Sequence, residues 1–139
     1  MSVMDVLEIR SNFNDLPLVR KFLQEFCTNN TSDGVDEDHI AQVELAAYKA
    51  ISNIIEHVYH GDNGHIIELR VRAEADKVII ELVYHGEAFT PESVPPPSFD
   101  GSKSNGFGVY IIANCMDDVQ YFKNKKGHNF ITMVKEYGK

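Results

Sequence analysis

Polar residues recur at helical spacing in the middle of the chain. They are Lys49, Asn53, Glu56 and His60. On a 3.6-residue period they lie opposite an apolar stripe made of Ile51, Ile54, Ile55 and Val58. Periodicity alone most simply predicts that this polar side is the solvated face of an amphipathic helix. Histidines near its end suggest a second kind of chemistry, because ligand spacings of three or four residues on a helix suit zinc. The candidate ligands are His57, His60, His65, Glu56 and Asp62. No cysteine and no His-Glu-x-x-His order supports this zinc site, so we favour the non-metal interpretation.

Gly106 and Gly108 stand where a segment rich in Pro and Ser, residues 91–104, meets a predicted helix. Backbone N–H groups at such a helix start are free to meet an anion. A lone Gly-x-Gly pair is weak, since it also occurs in ordinary tight turns. Combined with the polar helix face, the pair favours an anion-binding site.

Composition limits the partners of the chain. Its 139 residues carry a net charge of −8 and no Lys/Arg-rich run, which argues against nucleic acid as a partner. The length and apolar content predict one domain, residues 1–139. Cys27 and Cys115 lie in apolar helical patterns and are expected to be buried thiols in a reducing compartment. No apolar run is long enough to cross a membrane and no signal peptide opens the sequence, so we expect a cytoplasmic protein.

The elements that position these residues follow from periodicity. Strands are predicted over residues 3–9, 66–72, 78–84, 119–122 and 130–134. Helices are predicted from Asn14 to about Asn30, from about Asp36 to Tyr59, and from Gly106 to Cys115. Residues 91–104 form either a functional lid or a plain connector. This order predicts an α/β protein of the α+β two-layer type, with helices covering one face of a mainly antiparallel sheet.

Three segments resemble, in order and spacing, the motifs of one family. Residues 53–59 are similar to an Asn-box, residues 83–91 resemble a first glycine box, and residues 106–112 resemble a second. The chain therefore resembles the anti-sigma factor serine/threonine kinases, of the group related to histidine kinase and Hsp90 ATPase domains (GHKL, Bergerat fold). The resemblance covers nearly the whole chain. It implies a Bergerat-type mixed sheet and a bacterial, cytoplasmic regulator of transcription.

The resemblance also implies roles in binding ATP and Mg²⁺. Asn53 would give its side-chain oxygen to Mg²⁺, a hard ion that takes few protein ligands. Gly86 would let adenine approach the backbone, while Gly106 and Gly108 would face the phosphates. The remaining positions of these boxes are His57, Tyr84, Ala88 and Phe107.

Three positions depart from the family pattern. Lys49 stands where the family has a glutamate thought to act as base, and a charged lysine cannot accept a proton. Its ammonium either neutralises phosphate charge or is tolerated in a site no longer used. Tyr84 replaces an aspartate that receives the adenine amino group, and its ring either accepts one hydrogen bond or fills the adenine space. Ala88 replaces the second glycine of the box. Loss of a general base costs about 10²- to 10⁴-fold in rate.

Three functions remain open at this point. The leading one is an anti-sigma-factor-like regulator that binds a sigma factor or an anti-sigma antagonist, with nucleotide binding weak or lost. The alternative is an active Mg-ATP-dependent serine/threonine kinase that phosphorylates an anti-sigma antagonist, its base supplied elsewhere, for example by Glu56. The third is a nucleotide sensor without transfer. The resemblance also leaves a homodimer open.

Overall fold

One five-stranded sheet forms the base of the fold. A computed structural model describes residues 3–30, 37–74, 76–86 and 107–137. The strands are β1 (Val3–Arg10), β2 (Ile66–Glu74), β3 (Lys77–His85), β4 (Asp118–Lys123) and β5 (His128–Glu136). They pair in the order β1-β2-β3-β5-β4. Every pairing between these described strands is antiparallel, so the mixed sheet implied by the resemblance contains no parallel pair here.

Helices form the second layer. They are α1 (Leu16–Asn30), α2 (Glu37–Asn53) and α3 (Phe107–Cys115). The α2 helix is central and packs against both α1 and α3. Glu37 and Asp38 lie in its first turn, where the helix dipole favours negative charge. No helix in the described ranges is both long and apolar enough to span a membrane.

The core lies between the two layers. Antiparallel register aligns apolar side chains in rows across the covered face of the sheet, and one row contains Leu7, Leu69, Leu82, Ile131 and Tyr121. Because side chains alternate between faces, the intervening residues form the other face, where Arg70 pairs with Glu68 and, at 3.0 Å, with Glu81. The α+β two-layer prediction is therefore confirmed, with helices on one face of an antiparallel sheet.

The second helix differs from its prediction as one α-helix ending at Tyr59. The α-helical part ends at Asn53, and Ile54–Val58 form a π-helical turn. Its signature is the 3.1 Å bond from the Tyr59 N–H to the Ile54 carbonyl, five residues back. A turn with more than 3.6 residues rotates the following side chains around the axis. Tyr59, which follows the turn, is buried, whereas Glu56 and His57 within it are exposed.

Some predictions fall outside the described residues. They are the helix start at about Asp36, the 91–104 segment, and the box residues Ala88 and Gly106. The other predicted helices and strands are confirmed, with ends that shift by three residues or fewer.

Candidate functional site

Asn53 ends α2 as a buried residue, so the prediction of a solvated face is wrong at this position. Its side chain is only 7% exposed, and its neighbour Ser52 is also buried. Periodicity within one helix cannot show which faces its neighbours cover, and α2 packs against both α1 and α3. The Asn53 Nδ2 is buried and has no hydrogen-bond partner among the described residues. A buried donor left without a partner costs about 1–3 kcal/mol.

Lys49 lies one helical turn before Asn53 and is partly buried. Its Nζ lies 5.6 Å from the centroid of the exposed Tyr48 ring. No carboxylate in the described ranges forms an ion pair with it. An ammonium in this position donates hydrogen bonds and accepts none, so it offers no base.

Tyr84 lies on the covered face of β3 and is 1% exposed. Its register partners are Ile67 on β2 and Asn129 on β5, both also buried. The ring therefore packs between the sheet and the helical layer as part of the core.

Gly86 follows β3 and has a φ of +114°, a conformation that favours glycine. A Cβ atom added there would lie 3.7 Å from Tyr59 Cε1 and 3.8 Å from Val58 Cγ1, which is ordinary contact. The position therefore favours glycine because of its backbone conformation, and not because a side chain would lack space. The Tyr59 hydroxyl donates a 2.6 Å hydrogen bond to the His85 carbonyl, so the π-helical turn is joined to the end of β3. Burial raises the pKa of Tyr59, against the lowering effect of this bond.

Asn129 is a polar residue of this region that the sequence reasoning missed. It is 1% exposed and lies opposite Tyr84. Its Nδ2 donates to the carbonyls of Gly86 at 3.0 Å and Tyr84 at 3.5 Å. Its Oδ1 is buried and has no partner among the described residues. The sequence feature that could have revealed it is the alternation of β5, which places Asn129 on the same inward face as the apolar residues Ile131 and Met133.

The other predicted site residues are more scattered. His57 is exposed on the π-helical turn, with its Nε2 4.0 Å from Glu56 Oε2. Phe107 and Gly108 begin α3, while Ala88 and Gly106 lie outside the described residues. The structure thus joins Tyr84 and Gly86 through Asn129 and buries Asn53 at the end of α2.

The histidines considered as zinc ligands have other contacts. His65 stacks on Tyr59 at 3.9 Å between ring centroids, and its Nε2 lies 3.3 Å from Asp62 Oδ2. His60 has a φ of +51°, which is unusual for a residue with a bulky side chain. Within the described ranges, no three His, Cys, Asp or Glu side chains form a group able to hold a metal ion.

A groove of about 350 Å³ between α1 and α2 is a candidate protein-binding surface. Its lining is mainly apolar and consists of Leu16, Val19, Arg20, Ala41, Glu44, Leu45 and Tyr48. Glu44 Oε2 lies 3.6 Å from Arg20 Nε, whereas Oε1 is buried without a partner among the described residues. Burial raises the pKa of Glu44, and Arg20 opposes that shift.

Sequence comparison finds serine-protein kinases among the similar proteins. The serine-protein kinase RsbW of Oceanobacillus iheyensis is 25% identical over 112 residues, which cover 75% of this chain and 69% of that protein. The RsbW of Staphylococcus aureus strain JH9 is 26% identical over 99 residues, which cover 65% of this chain and 62% of that protein. The chain therefore spans less than two thirds of the S. aureus protein.

Structural comparison finds the same fold. The RsbU and RsbW domains of Rv1364c from Mycobacterium tuberculosis superpose with a TM-score of 0.64 at 17% identity, covering 96% of this chain and 32% of that chain. The histidine kinase domain of Erythrobacter litoralis EL346 gives a TM-score of 0.55 at 9% identity, covering 90% of this chain and 60% of that chain. These findings confirm the predicted resemblance. Residues 9–135 match the histidine kinase-like ATPase domain, and the chain belongs to that family.

Proposed function

We propose that the chain is an anti-sigma-factor-like regulatory protein that binds a sigma factor or an anti-sigma antagonist, with nucleotide binding weak or lost. The observation that carries this proposal is Lys49, an ammonium one turn before Asn53 where a kinase of this group needs a base. Loss of a general base reduces a rate by about 10²- to 10⁴-fold. Binding to a protein partner needs no such group.

Asn53 supports residual binding of Mg²⁺ with a nucleotide. Its buried amide has an unpartnered Nδ2, so no described hydrogen bond prevents its oxygen from turning towards an ion. Mg²⁺ usually keeps several waters and takes one or two protein ligands plus phosphate oxygens. A single amide therefore fits the ion when a nucleotide supplies the phosphates. Bound Mg²⁺ would neutralise phosphate charge there.

Tyr84 opposes tight nucleotide binding. The ring is packed in the core beside Gly86, at the position where the resemblance implies adenine recognition. A base that entered there would have to displace the ring or bind beside it. Each route costs free energy that an aspartate at this position would not demand.

The groove between α1 and α2 supports binding to a protein. Leu45 and Tyr48, which line it, are 42% and 44% exposed. The buried Oε1 of Glu44 accepts no hydrogen bond from any described residue. A partner segment with an apolar side chain next to a lysine or arginine would satisfy both features. We therefore place the partner contact in this groove. A homodimer through another surface is compatible with it.

The first experiment measures nucleotide binding by thermal unfolding with and without Mg-ATP. A ligand at 100 times its Kd adds about 2.7 kcal/mol of stability. We expect millimolar Mg-ATP to raise the free energy of unfolding by much less than this amount. A rise of about 2.7 kcal/mol at micromolar Mg-ATP would refute weak binding.

The second experiment measures partner binding. Each sigma factor and each small anti-sigma antagonist of the source organism is purified and titrated against the chain. Leu45→Asp should weaken the complex by at least tenfold, because it places a second carboxylate in the groove next to Glu44. Met4→Asp is the matched control, since Met4 is an exposed apolar residue on β1 at the opposite face of the sheet. Equal loss in both variants, or no complex with any candidate, would contradict the proposal.

An active kinase is the second candidate, favoured by the buried, unpartnered amide of Asn53. Glu56 would then supply the base from the exposed side of the π-helical turn. Transfer of labelled phosphate from Mg-ATP to an antagonist serine, abolished by Glu56→Gln, would establish this candidate. A thermal shift without transfer would instead indicate a nucleotide sensor.

A further inference from the structure

Glu44 is the one acidic residue among the described residues that line the groove between α1 and α2. Its side chain is 14% exposed, and its Oε1 is buried without a hydrogen-bond donor among the described residues. Its Oε2 lies 3.6 Å from Arg20 Nε, but the Arg20 side chain is 76% exposed, and an exposed pair at this distance contributes little. The described part of the chain therefore leaves this carboxylate short of donors.

A group inside the groove can reach the Glu44 carboxylate. Glu44 lines the groove itself, whose volume is about 350 Å³. The terminal torsion of a glutamate side chain is broad, so a rotation about it turns Oε1 towards the groove. Burial raises the pKa of Glu44, and a cation bound beside it would favour the ionised form. A cationic group is therefore the ligand that this carboxylate fits.

The surroundings of Glu44 favour a primary ammonium over a guanidinium. An arginine pairs best with a carboxylate when two of its N–H groups meet both oxygens. Arg20 already faces Oε2, so a second guanidinium could reach only Oε1 unless Arg20 moved away. A lysine ammonium is a compact point charge that needs one oxygen, and its apolar stem packs along apolar side chains. Leu16, Val19 and Leu45 supply such side chains in the groove.

We propose that Glu44 accepts the ammonium group of a lysine from the protein partner, and that the groove thereby selects lysine over arginine. This inference rests on the partner binding of the proposed function and names the side chain that would occupy the same groove. The net charge of −8 acts in the same direction, because it attracts a cationic segment.

Three hexyl compounds test this contact on the wild-type chain at pH 7. Hexylammonium carries the lysine head group, hexylguanidinium carries the arginine head group, and hexyltrimethylammonium carries the charge without an N–H donor. NMR titration of the ¹⁵N-labelled chain should rank their affinities in that order, with the amides of Ala41, Leu45 and Tyr48 among those that shift. Loss of a hydrogen bond to a charged group should make hexyltrimethylammonium about tenfold weaker than hexylammonium.

Three variants assign the contact to Glu44. Glu44→Gln keeps the shape of the side chain and removes its charge, so hexylammonium should bind about tenfold more weakly. Glu37→Gln is the matched control, because Glu37 is an exposed carboxylate in the first turn of the same helix and its loss changes the net charge equally. This control should keep the wild-type affinities. Arg20→Ala should remove the preference for hexylammonium, because both oxygens of Glu44 could then meet a guanidinium.

Equal or stronger binding of hexylguanidinium by the wild type would overturn the inference, and so would an unchanged hexylammonium affinity in Glu44→Gln. Absence of hexylammonium binding would also overturn it, while a complex with a sigma factor or antagonist would still support the proposed function. If hexylammonium binds as predicted but no candidate protein does, the ammonium site is supported and the proposed partners are refuted.

Discussion

Replacement of Tyr84 by alanine tests whether its ring both stabilises the fold and restricts the nucleotide site. The side chain is among the largest fully buried ones in the described structure. Truncating a buried aromatic side chain to alanine typically costs about 3–5 kcal/mol, because transfer free energy is lost and a cavity remains. For a domain of this size, this corresponds to a fall in Tm of about 6–20 °C.

The assay is thermal unfolding followed by circular dichroism. Tyr48→Ala is the matched control, because Tyr48 is a tyrosine on α2 with 44% exposure, and we expect its Tm to change by only a few degrees. If Tyr84→Ala lowered Tm no more than Tyr48→Ala, the ring would not be packed in the core, and the argument from its burial would fail.

Mg-ATP supplies the second arm of the same experiment. The cavity left by Tyr84→Ala opens space beside Gly86 and Asn129, so Mg-ATP should stabilise the variant more than it stabilises the wild type. A tenfold gain in affinity adds up to about 1.4 kcal/mol at saturating nucleotide. An equal shift in both proteins would mean that the ring does not limit nucleotide binding.

Three further predictions concern stability and reactivity. Tyr59→Phe should lower the free energy of unfolding by about 0.5–1.5 kcal/mol, because it removes the hydrogen bond to the His85 carbonyl at the end of β3. Tyr48→Phe, measured alongside in urea, should change it little. Burial raises the pKa of Glu44 above its ordinary value of 4.5, so its ionised form is less favourable in the folded chain than in the unfolded one. Glu44→Gln should therefore be more stable than the wild type at pH 8, and the difference should shrink as the pH falls towards 4.5; a constant difference between pH 5 and 8 would contradict this sign. Burial raises the pKa of the Cys27 thiol to about 11, so iodoacetamide at pH 8 should alkylate it at least tenfold more slowly in the folded chain than in urea, and equal rates would refute its burial.

Local patterns predicted most of the fold. Alternation of apolar and charged residues located β2, since this strand buries one face against the helices and the period of two leaves little freedom of register.

Tertiary contacts decided what the patterns could not. Asn53 has a polar side chain on the polar side of α2, yet it is buried in the folded chain, where α2 packs against both α1 and α3. The π-helical turn Ile54–Val58 has no periodic signature in so short a stretch, and His57 is exposed on it. Asn129 gained its importance only through its register opposite Tyr84, about 45 residues away along the chain.

The most direct test of the central claim combines binding and phosphate transfer in one tube. The chain is mixed with its antagonist or sigma-factor partner and Mg-[γ-³²P]ATP, and the complex is isolated and counted. We predict a stoichiometric complex without label on the partner, because Lys49 cannot serve as a base. A labelled serine on the partner, at a rate close to that of an active kinase, would contradict the account.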